Sequence, residues 1–464
     1  MSSDATTNAF THGPLGVIFA RTALPIIFVM SMNGLLAVVD AMFLGIFVGP
    51  DALGAVTLMF PIYMLMVALA TLVSGGMASL LARHLGAERF HDAQRVFAGA
   101  HGLALAISTV LIVSFLLLGS WVTLLAAGGS QPLAAMGHVY LEIMLLFSPV
   151  MFVLSVNTDA LRNEGRVGLM AAMSLLVSIA NIGFNYVLIA IAGLGVAGSA
   201  YGTVMAQALA GLAILAFRMR GNTRLRPGAL RRHSLASDWW RILALGAPQS
   251  LNFIGIALGS AAIIAALQVN GSATYEATVS AYGIITRIMT FVFLPLLGLS
   301  LAMQSITGNN FGAALWRRSD NSLRLGMAIA LLYCLLAEVV LMGFSRPIAL
   351  AFVDDEKVVG EVARIMPVMI TMFFAAGPML MISTYFQAIG DAGRAAILAL
   401  SKPFIFAIPL TFLLPLGLGE QGIWLAGPLA EILLLCLTAV VLSVTARRRL
   451  LRWGLFNERK EILP

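Results

Sequence analysis

Charge is what this sequence has least of. Only 11% of its 464 residues are Asp, Glu, Lys or Arg, against 60% hydrophobic, and that balance cannot cover a solvated globular surface, so a water-soluble fold is excluded. Cysteine is limited to Cys334 and Cys436. Both lie inside apolar runs, so they read as small buried hydrophobes, without a disulfide framework or redox chemistry. The three lysines, Lys357, Lys402 and Lys460, never follow a glycine, which excludes a P-loop and ATP-driven pumping within this chain. No HExxH pattern occurs and the six histidines are scattered, so an intramembrane enzyme finds no support. Alternating polar and apolar positions are missing, which argues for helices over a membrane β-barrel.

Long apolar runs are abundant. A spanning helix with its connection takes roughly 35–40 residues, which predicts about twelve spans, centred near Leu24, Met64, Leu105, Leu146, Leu175, Met205, Gly255, Phe291, Ala330, Phe373, Ile405 and Leu433. Residues Met1 to Gly13 carry no cation, and the first run lacks a cleavage signature and is too long for a signal peptide, so it is retained as a span. The expected fold is an all-α membrane protein.

The net charge of +7 is a topology signal rather than a sign of nucleic-acid binding. Arg83, Arg89 and Arg95 follow the second span, Arg162 and Arg166 the fourth, Arg218 to Arg241 the sixth, Arg317, Arg318 and Arg324 the eighth, and Arg394 and Lys402 the tenth, while Arg447, Arg448, Arg449, Arg452, Arg459 and Lys460 close the chain. Connections after odd-numbered spans carry Asp51, Glu276, Asp354, Asp355, Glu356 and Glu420 instead. The positive-inside rule then puts both termini in the cytoplasm and makes the span count even.

The sequence also repeats. Pro25 pairs with Pro248, Gly86-Ala87 with Gly312-Ala313, Gly165 with Gly390, and Gly198 with Gly422, at a spacing of about 225 residues that marks a duplicated unit. Copies with an even number of spans share one orientation, so two six-helix lobes are expected, related by a pseudo-two-fold axis along the membrane normal. The corresponding division is a tail over 1–14, an N-lobe over 15–217, a cytoplasmic linker over 218–238, a C-lobe over 239–446 and a basic cytoplasmic tail over 447–464. Two such bundles make a central cleft, the architecture of alternating-access transport.

Within the first span a lone carboxylate, Asp40, sits among Ala37, Val38, Val39, Met42 and Phe43. An acid in hydrocarbon is a functional hypothesis by default, because it must be paired, hydrated or neutralised. Such a group can exchange a proton, or pair with a cation, as a cavity alternates between wet and closed. The other reading is a buried acid that braces a neighbouring helix. Asn181 and Asn185 are four apart and share a helix face, each with a carbonyl acceptor and an amide donor; they either hold Asp40 or a cation, or glue helices together. Asn33, seven residues before Asp40, carries the same ambiguity. Glu338 and Glu431 also fall in apolar runs, and a brace to a basic residue such as Arg287 competes with a second cation site. His101 reads either as a proton relay or as a hydrogen-bonded packing residue. The 24 Met and 26 Phe suit adaptable apolar cargo.

Leu24-Pro25 with Val39-Asp40, Leu85-Gly86-Ala87, Leu161-Arg162-Asn163-Glu164-Gly165, Gln304, Gly308-Asn309-Asn310-Phe311-Gly312-Ala313, Gln387-Ala388-Ile389-Gly390-Asp391 and Gly422-Ile423-Trp424-Leu425-Ala426-Gly427-Pro428 together resemble the multidrug and toxic compound extrusion (MATE) family over nearly the whole chain. The resemblance implies a two-lobe exporter of amphipathic, often cationic organic compounds, working as an antiporter with H+ or Na+ as the coupling ion and no other cofactor. It implies a multi-pass prokaryotic inner-membrane protein whose partners are its small-molecule cargo and the bilayer; a monomer is expected. By motif match Asp40 takes the coupling acid's place, Asn181 and Asn185 the fifth-helix positions, Tyr140 a fourth-helix tyrosine, Thr203 a sixth-helix threonine, and Asn157 a further fourth-helix position. Asn185 stands where many members have a second aspartate, and Pro248 to Gln268 holds no acid, which tilts the expectation from a sodium cage at Asp40 toward proton exchange. The alternative within the superfamily is a lipid-linked saccharide flippase, whose cavities are strongly cationic. A fluorescent reporter that matures only in the cytoplasm, fused after Pro464, is expected to fluoresce; a dark fusion contradicts the cytoplasmic C-terminus.

Overall fold

The computed structural model describes residues 8–221, 223–270, 275–449 and 451–456. Regular structure among the described residues is helical, apart from an isolated bridge between Arg452 and Phe456. Helices α1 (Leu15–Phe47), α2 (Pro50–Gly86) and α3 (Phe90–Ala126) are followed by a bent pair, α4 (Gln131–Leu146) and α5 (Ser148–Asn163). Then come α6 (Val167–Asn185), continuing as a π-helical stretch over Tyr186–Ile191, and α7 (Gly195–Met219). A short helix α8 (Ala229–Arg232) lies in the connection. The second series runs through α9 (Trp239–Asn270), α10 (Tyr275–Gly312), α11 (Trp316–Gly343), short α12 (Ser345–Leu350), a bent pair α13 (Glu356–Ile370) and α14 (Phe373–Ala388), and α15 (Ala392–Leu400), which passes into a second π-helical stretch, Ser401–Ala407. Helices α16 (Ile408–Leu413), α17 (Pro415–Leu418) and α18 (Glu420–Arg449) finish the fold.

Ten of these segments are long and apolar enough to cross a membrane, or up to twelve if each bent pair is one span. The twelve positions expected from the sequence fall one to a span. The duplication is written into the backbone. Glu88 (φ 56) and Ala314 (φ 58) take the same left-handed turn after α2 and α10, and Gly165 (φ 78) matches Gly390 (φ 88). The bends repeat too: Phe147 interrupts the fourth span at 50° and Met372, at φ 74, the tenth at 45°. Pro149 in the first turn of α5 has no N–H to continue the ladder from α4.

The chain divides into two compact units, one of Met1–His12 and Leu24–Ser250, the other of Gly13–Ala23 and Leu251–Pro464. The first unit therefore takes in the connection over 218–238 and the opening turns of α9, and it cedes the opening of α1. Glycine explains the first part. A Cβ on Gly76 would lie 1.9 Å from the Ile242 carbonyl oxygen, and one on Gly246 would lie 1.8 Å from that of Leu72, so α2 and α9 meet backbone to backbone, as small residues allow in membranes. The Trp239 indole N–H donates to the Gly99 carbonyl at 2.9 Å, fastening the connection to α3. Cys334 is buried as expected, but Cys436 lies on an exposed face of α18, the side of a spanning helix that needs no polar partner. Arg459 and Lys460 of the basic tail, and residues 1–7, lie outside the described residues. Because backbone atoms cannot step aside as a side chain can, Gly246→Val is expected to lower the thermal unfolding midpoint, at a cost of about 1–3 kcal/mol; an unchanged melt in detergent contradicts this packing.

Candidate functional site

Asp40 lies two turns before the end of α1 and is half-buried. Its Oδ1 accepts a 2.6 Å hydrogen bond from Asn185 Nδ2. Asn185 Nδ2 also donates to Asn181 Oδ1 at 3.2 Å, Asn181 Nδ2 to Thr203 Oγ1 at 3.0 Å, and Thr203 Oγ1 to the Ser199 carbonyl at 3.1 Å. The result is one line of polar groups from the backbone of α7, through α6, to the acid of α1. Thr203 spends its proton on the Ser199 carbonyl and accepts from Asn181, Asn181 accepts from Asn185, and Asn185 Nδ2 is the donor that reaches Asp40.

Local structure holds this line. Asn181 and Asn185 sit in the last turns of α6, where the helix widens into the π-helical stretch that follows; single π turns recur at functional sites because they re-aim a side chain. Opposite Asn185 stands Gly202 of α7, where a Cβ would come within 2.1 Å of Asn185 Oδ1. Gly202 is therefore the space that Asn185 occupies. Asn185 Oδ1 is buried and accepts no hydrogen bond, an arrangement costing about 1–3 kcal/mol in a core built for packing alone. Tyr63 of α2 and Tyr140 of α4 lie close enough to Asp40 to feel its charge. Both pack against the core of Met59, Met66, Leu141 and Val204. Sequence reasoning missed Tyr63 and Gly202: a tyrosine after Pro61-Ile62 looks like any packing aromatic, and nothing in a lone glycine says which side chain it makes room for.

The MatE family model matches residues 25–187 and 248–413. This chain belongs to the MATE family. It is 24% identical to the probable multidrug resistance protein YoeA of Bacillus subtilis over 404 residues, 84% of this chain and 86% of that protein. It is 25% identical to an FAD transporter of Shewanella oneidensis over 435 residues, 91% and 93% of the two chains. Among solved structures, a MATE protein in a bent conformation superposes with a TM-score of 0.85 at 22% identity, covering 93% of this chain and 96% of that one. A MATE family transporter in the outward-facing conformation gives 0.84 over the same shares. Both establish a shared fold. The match in two blocks, one in each half, agrees with the internal repeat.

Other residues expected at the site of this MATE transporter lie elsewhere. Asn157 of α5 is not on the Asp40 line. Its Oδ1 accepts from Arg218 Nε at 2.9 Å, and its Nδ2 meets His101 Nε2 at 2.9 Å. Arg218, 2% exposed, also donates to Glu164 Oε2 at 3.0 Å and to the Leu225 carbonyl at 2.9 Å. His101 contacts the Phe97 carbonyl through Nδ1 at 2.8 Å, so both ring nitrogens are taken in a packed network. Asn33 is exposed.

In the second unit Glu338 accepts from the backbone N–H of Met372 at 3.3 Å and of Phe374 at 2.7 Å. It thus caps the start of α14 across the bend, where free N–H groups and the helix dipole favour an anion. Glu431 pairs with Lys402, whereas Arg287 is exposed on α10; the brace foreseen for a second-lobe acid is formed by lysine, not by Arg287. Among the described residues no three His, Cys, Asp or Glu side chains group as metal ligands. The oxygens on the Asp40 line fit a hard cation in kind, with a single carboxylate among them.

Gly202→Ala is expected to push Asn185 off Asp40. Loss of about 1–1.5 kcal/mol of hydrogen bonding corresponds to roughly a tenfold effect, so Asp40-dependent transport should fall by about that factor at unchanged expression. Wild-type transport in the variant contradicts a working role for the bond.

Proposed function

We propose that this MATE transporter is a secondary active antiporter that exports amphipathic, cationic organic compounds in exchange for protons, by alternating access. The observation that carries the reading is the Asp40–Asn185 hydrogen bond. It keeps a single carboxylate inside a span yet leaves the other carboxylate oxygen uncommitted among the described residues. An ionised Asp40 accepts from Asn185 and attracts a cation. A protonated Asp40 still accepts that bond through its carbonyl oxygen while its charge is gone. Asn185 therefore serves both states, and the acid can change charge without the helices parting. A proton and a cationic cargo compete for the same oxygen, so loading one expels the other. That competition is antiport.

Several features favour H+ over Na+ as the coupling ion. Sodium is usually held by several oxygens, and here one carboxylate meets amides and a hydroxyl that already bond to one another. Were Na+ to bind, Asp40, Asn185 Oδ1 and Thr203 would hold it and it would supply charge neutralisation alone. The cell location that suits this reading is a prokaryotic inner membrane with both termini in the cytoplasm, in keeping with the basic loops.

In proteoliposomes given a proton or a sodium gradient separately, the wild type is expected to accumulate a cationic dye against the proton gradient. Asp40→Asn should lose that uptake, by at least an order of magnitude given the cost of removing the only charge at the site. Dye uptake by Asp40→Asn at the wild-type rate removes Asp40 from coupling. Flipping of a lipid-linked saccharide with no dye transport would replace the exporter reading by the flippase one.

A further inference from the structure

We infer that Lys402 and Glu431 form a second proton-exchange pair, in the C-terminal unit, at which a monovalent organic cation competes with the Lys402 proton for the Glu431 carboxylate. The inference rests on the antiporter reading and extends it, because it makes the second unit a partner in coupling rather than a carrier of cargo.

Depth comes first. Lys402 lies ten residues into the span that opens at Ala392, and Glu431 eleven into the one that opens at Glu420. At about 1.5 Å per residue both stand roughly 15 Å from a span end, mid-depth in a hydrocarbon layer about 30 Å thick. Their ion pair joins those two helices. The repeat comes next. Lys402 follows Asn181 by 221 residues and Glu431 follows Thr203 by 228, either side of the spacing of about 225. The pair therefore lies about one helical turn from the register of the Asn181–Thr203 bond, between the helices that correspond to those joined by that polar link in the first unit. Both links also neighbour a π-helical stretch, Tyr186–Ile191 in one copy and Ser401–Ala407 in the other. In the second, Pro403 removes a ladder N–H beside Lys402.

The two partners are unequally exposed. The Lys402 side chain is 38% exposed and that of Glu431 5%. The tie to Glu431 stops the Lys402 ammonium from reaching the interface, and a charge held at mid-depth requires water or a polar group on any side its partner leaves open. Glu431 Oε1 is buried and has no hydrogen-bond partner, which leaves this carboxylate with acceptor capacity to spare. A pure brace would use both oxygens, as Glu338 does.

Charge balance defines the step. At rest, ammonium and carboxylate sum to zero. When an organic cation pairs with Glu431, the Lys402 ammonium loses its counterion; its N–H bond breaks, the electron pair stays on nitrogen and the proton leaves to water. The site is neutral again, one cation in and one proton out. Other groups around the pair are already committed or uncharged. Cys334 and Glu338 of α11 lie near it, and Glu338 caps α14. Helices α14, α16 and α17 bring no charged residue. On α13, Arg364 is tied to Glu361 and Glu420, with Glu356 and Lys357 in its first turn; on α15, Arg394 is tied to Asp391.

Arginine separates exchange from bracing, since it keeps the charge and the pair but does not give up its proton in proteins. Proton release into a weakly buffered, pH-indicating solution is measured as tetraphenylphosphonium is added to the purified, full-length protein. Asp40→Asn is expected to retain a cation-dependent release, and the Asp40→Asn/Lys402→Arg double variant to show none while keeping the thermal midpoint of Asp40→Asn. Undiminished release in the double variant overturns the pair, as does a silent Asp40→Asn beside a releasing wild type; in either case the Asp40 reading stands. No release from the wild type overturns the antiporter reading and this inference together.

Discussion

A carboxylate placed in a membrane span must be given hydrogen bonds by the protein, because lipid offers none. The Asn185 bond to Asp40 answers that constraint, and much of the first unit is arranged around it. It requires Asn185 to reach across to α1, which the π-helical widening after α6 assists, and it requires space on α7, which Gly202 supplies. It also requires an acceptor to steady Asn181, Asn185's neighbour, and Thr203 Oγ1, whose own proton is spent on the Ser199 carbonyl, supplies it. One half-buried carboxyl group thus dictates residue choice on three helices.

The second unit solves a related problem differently. Glu338 is neutralised by the start of a helix, and that helix begins in mid-membrane only because the tenth span is bent at Met372. Glu431 is neutralised by lysine. Duplication supplied the same frame twice: the left-handed turns and the bends recur at the repeat spacing, while the π-helical stretch of the second copy begins about ten residues earlier than that spacing would put it. The charges set into that frame diverged. No acid stands at the second copy's counterpart of Asp40, near Ile263 and Ile264, so the two halves do not carry the same carboxylate.

Much of this was legible in the sequence, since the relevant signals are local. Span positions follow from the length of apolar runs, the repeat from Gly and Pro spacing, and the partnership of Asn181 and Asn185 from four-residue spacing on a helix. What sequence could not supply was which helices touch. Asn157 and Arg218 are 61 residues apart and meet only through packing; the exposure of Arg287 and the choice of Lys402 as the partner of Glu431 are likewise tertiary facts. Met372 at positive φ lacks the glycine that normally announces such a turn, and Glu338, which caps the helix beyond it, lies 34 residues away. The opening turns of α9 join the first unit because two glycines let backbones touch, and a glycine in a span has many other uses.

The central claim is that Asp40 carries a proton that a cationic cargo displaces. Infrared difference spectroscopy reads this directly, through the carbonyl stretch of a protonated carboxyl group on adding tetraphenylphosphonium to the protein. The account predicts loss of that band in the wild type and no such loss in Asp40→Asn, since Glu431 stays ionised before and after its own exchange. A band lost equally in both proteins would contradict it.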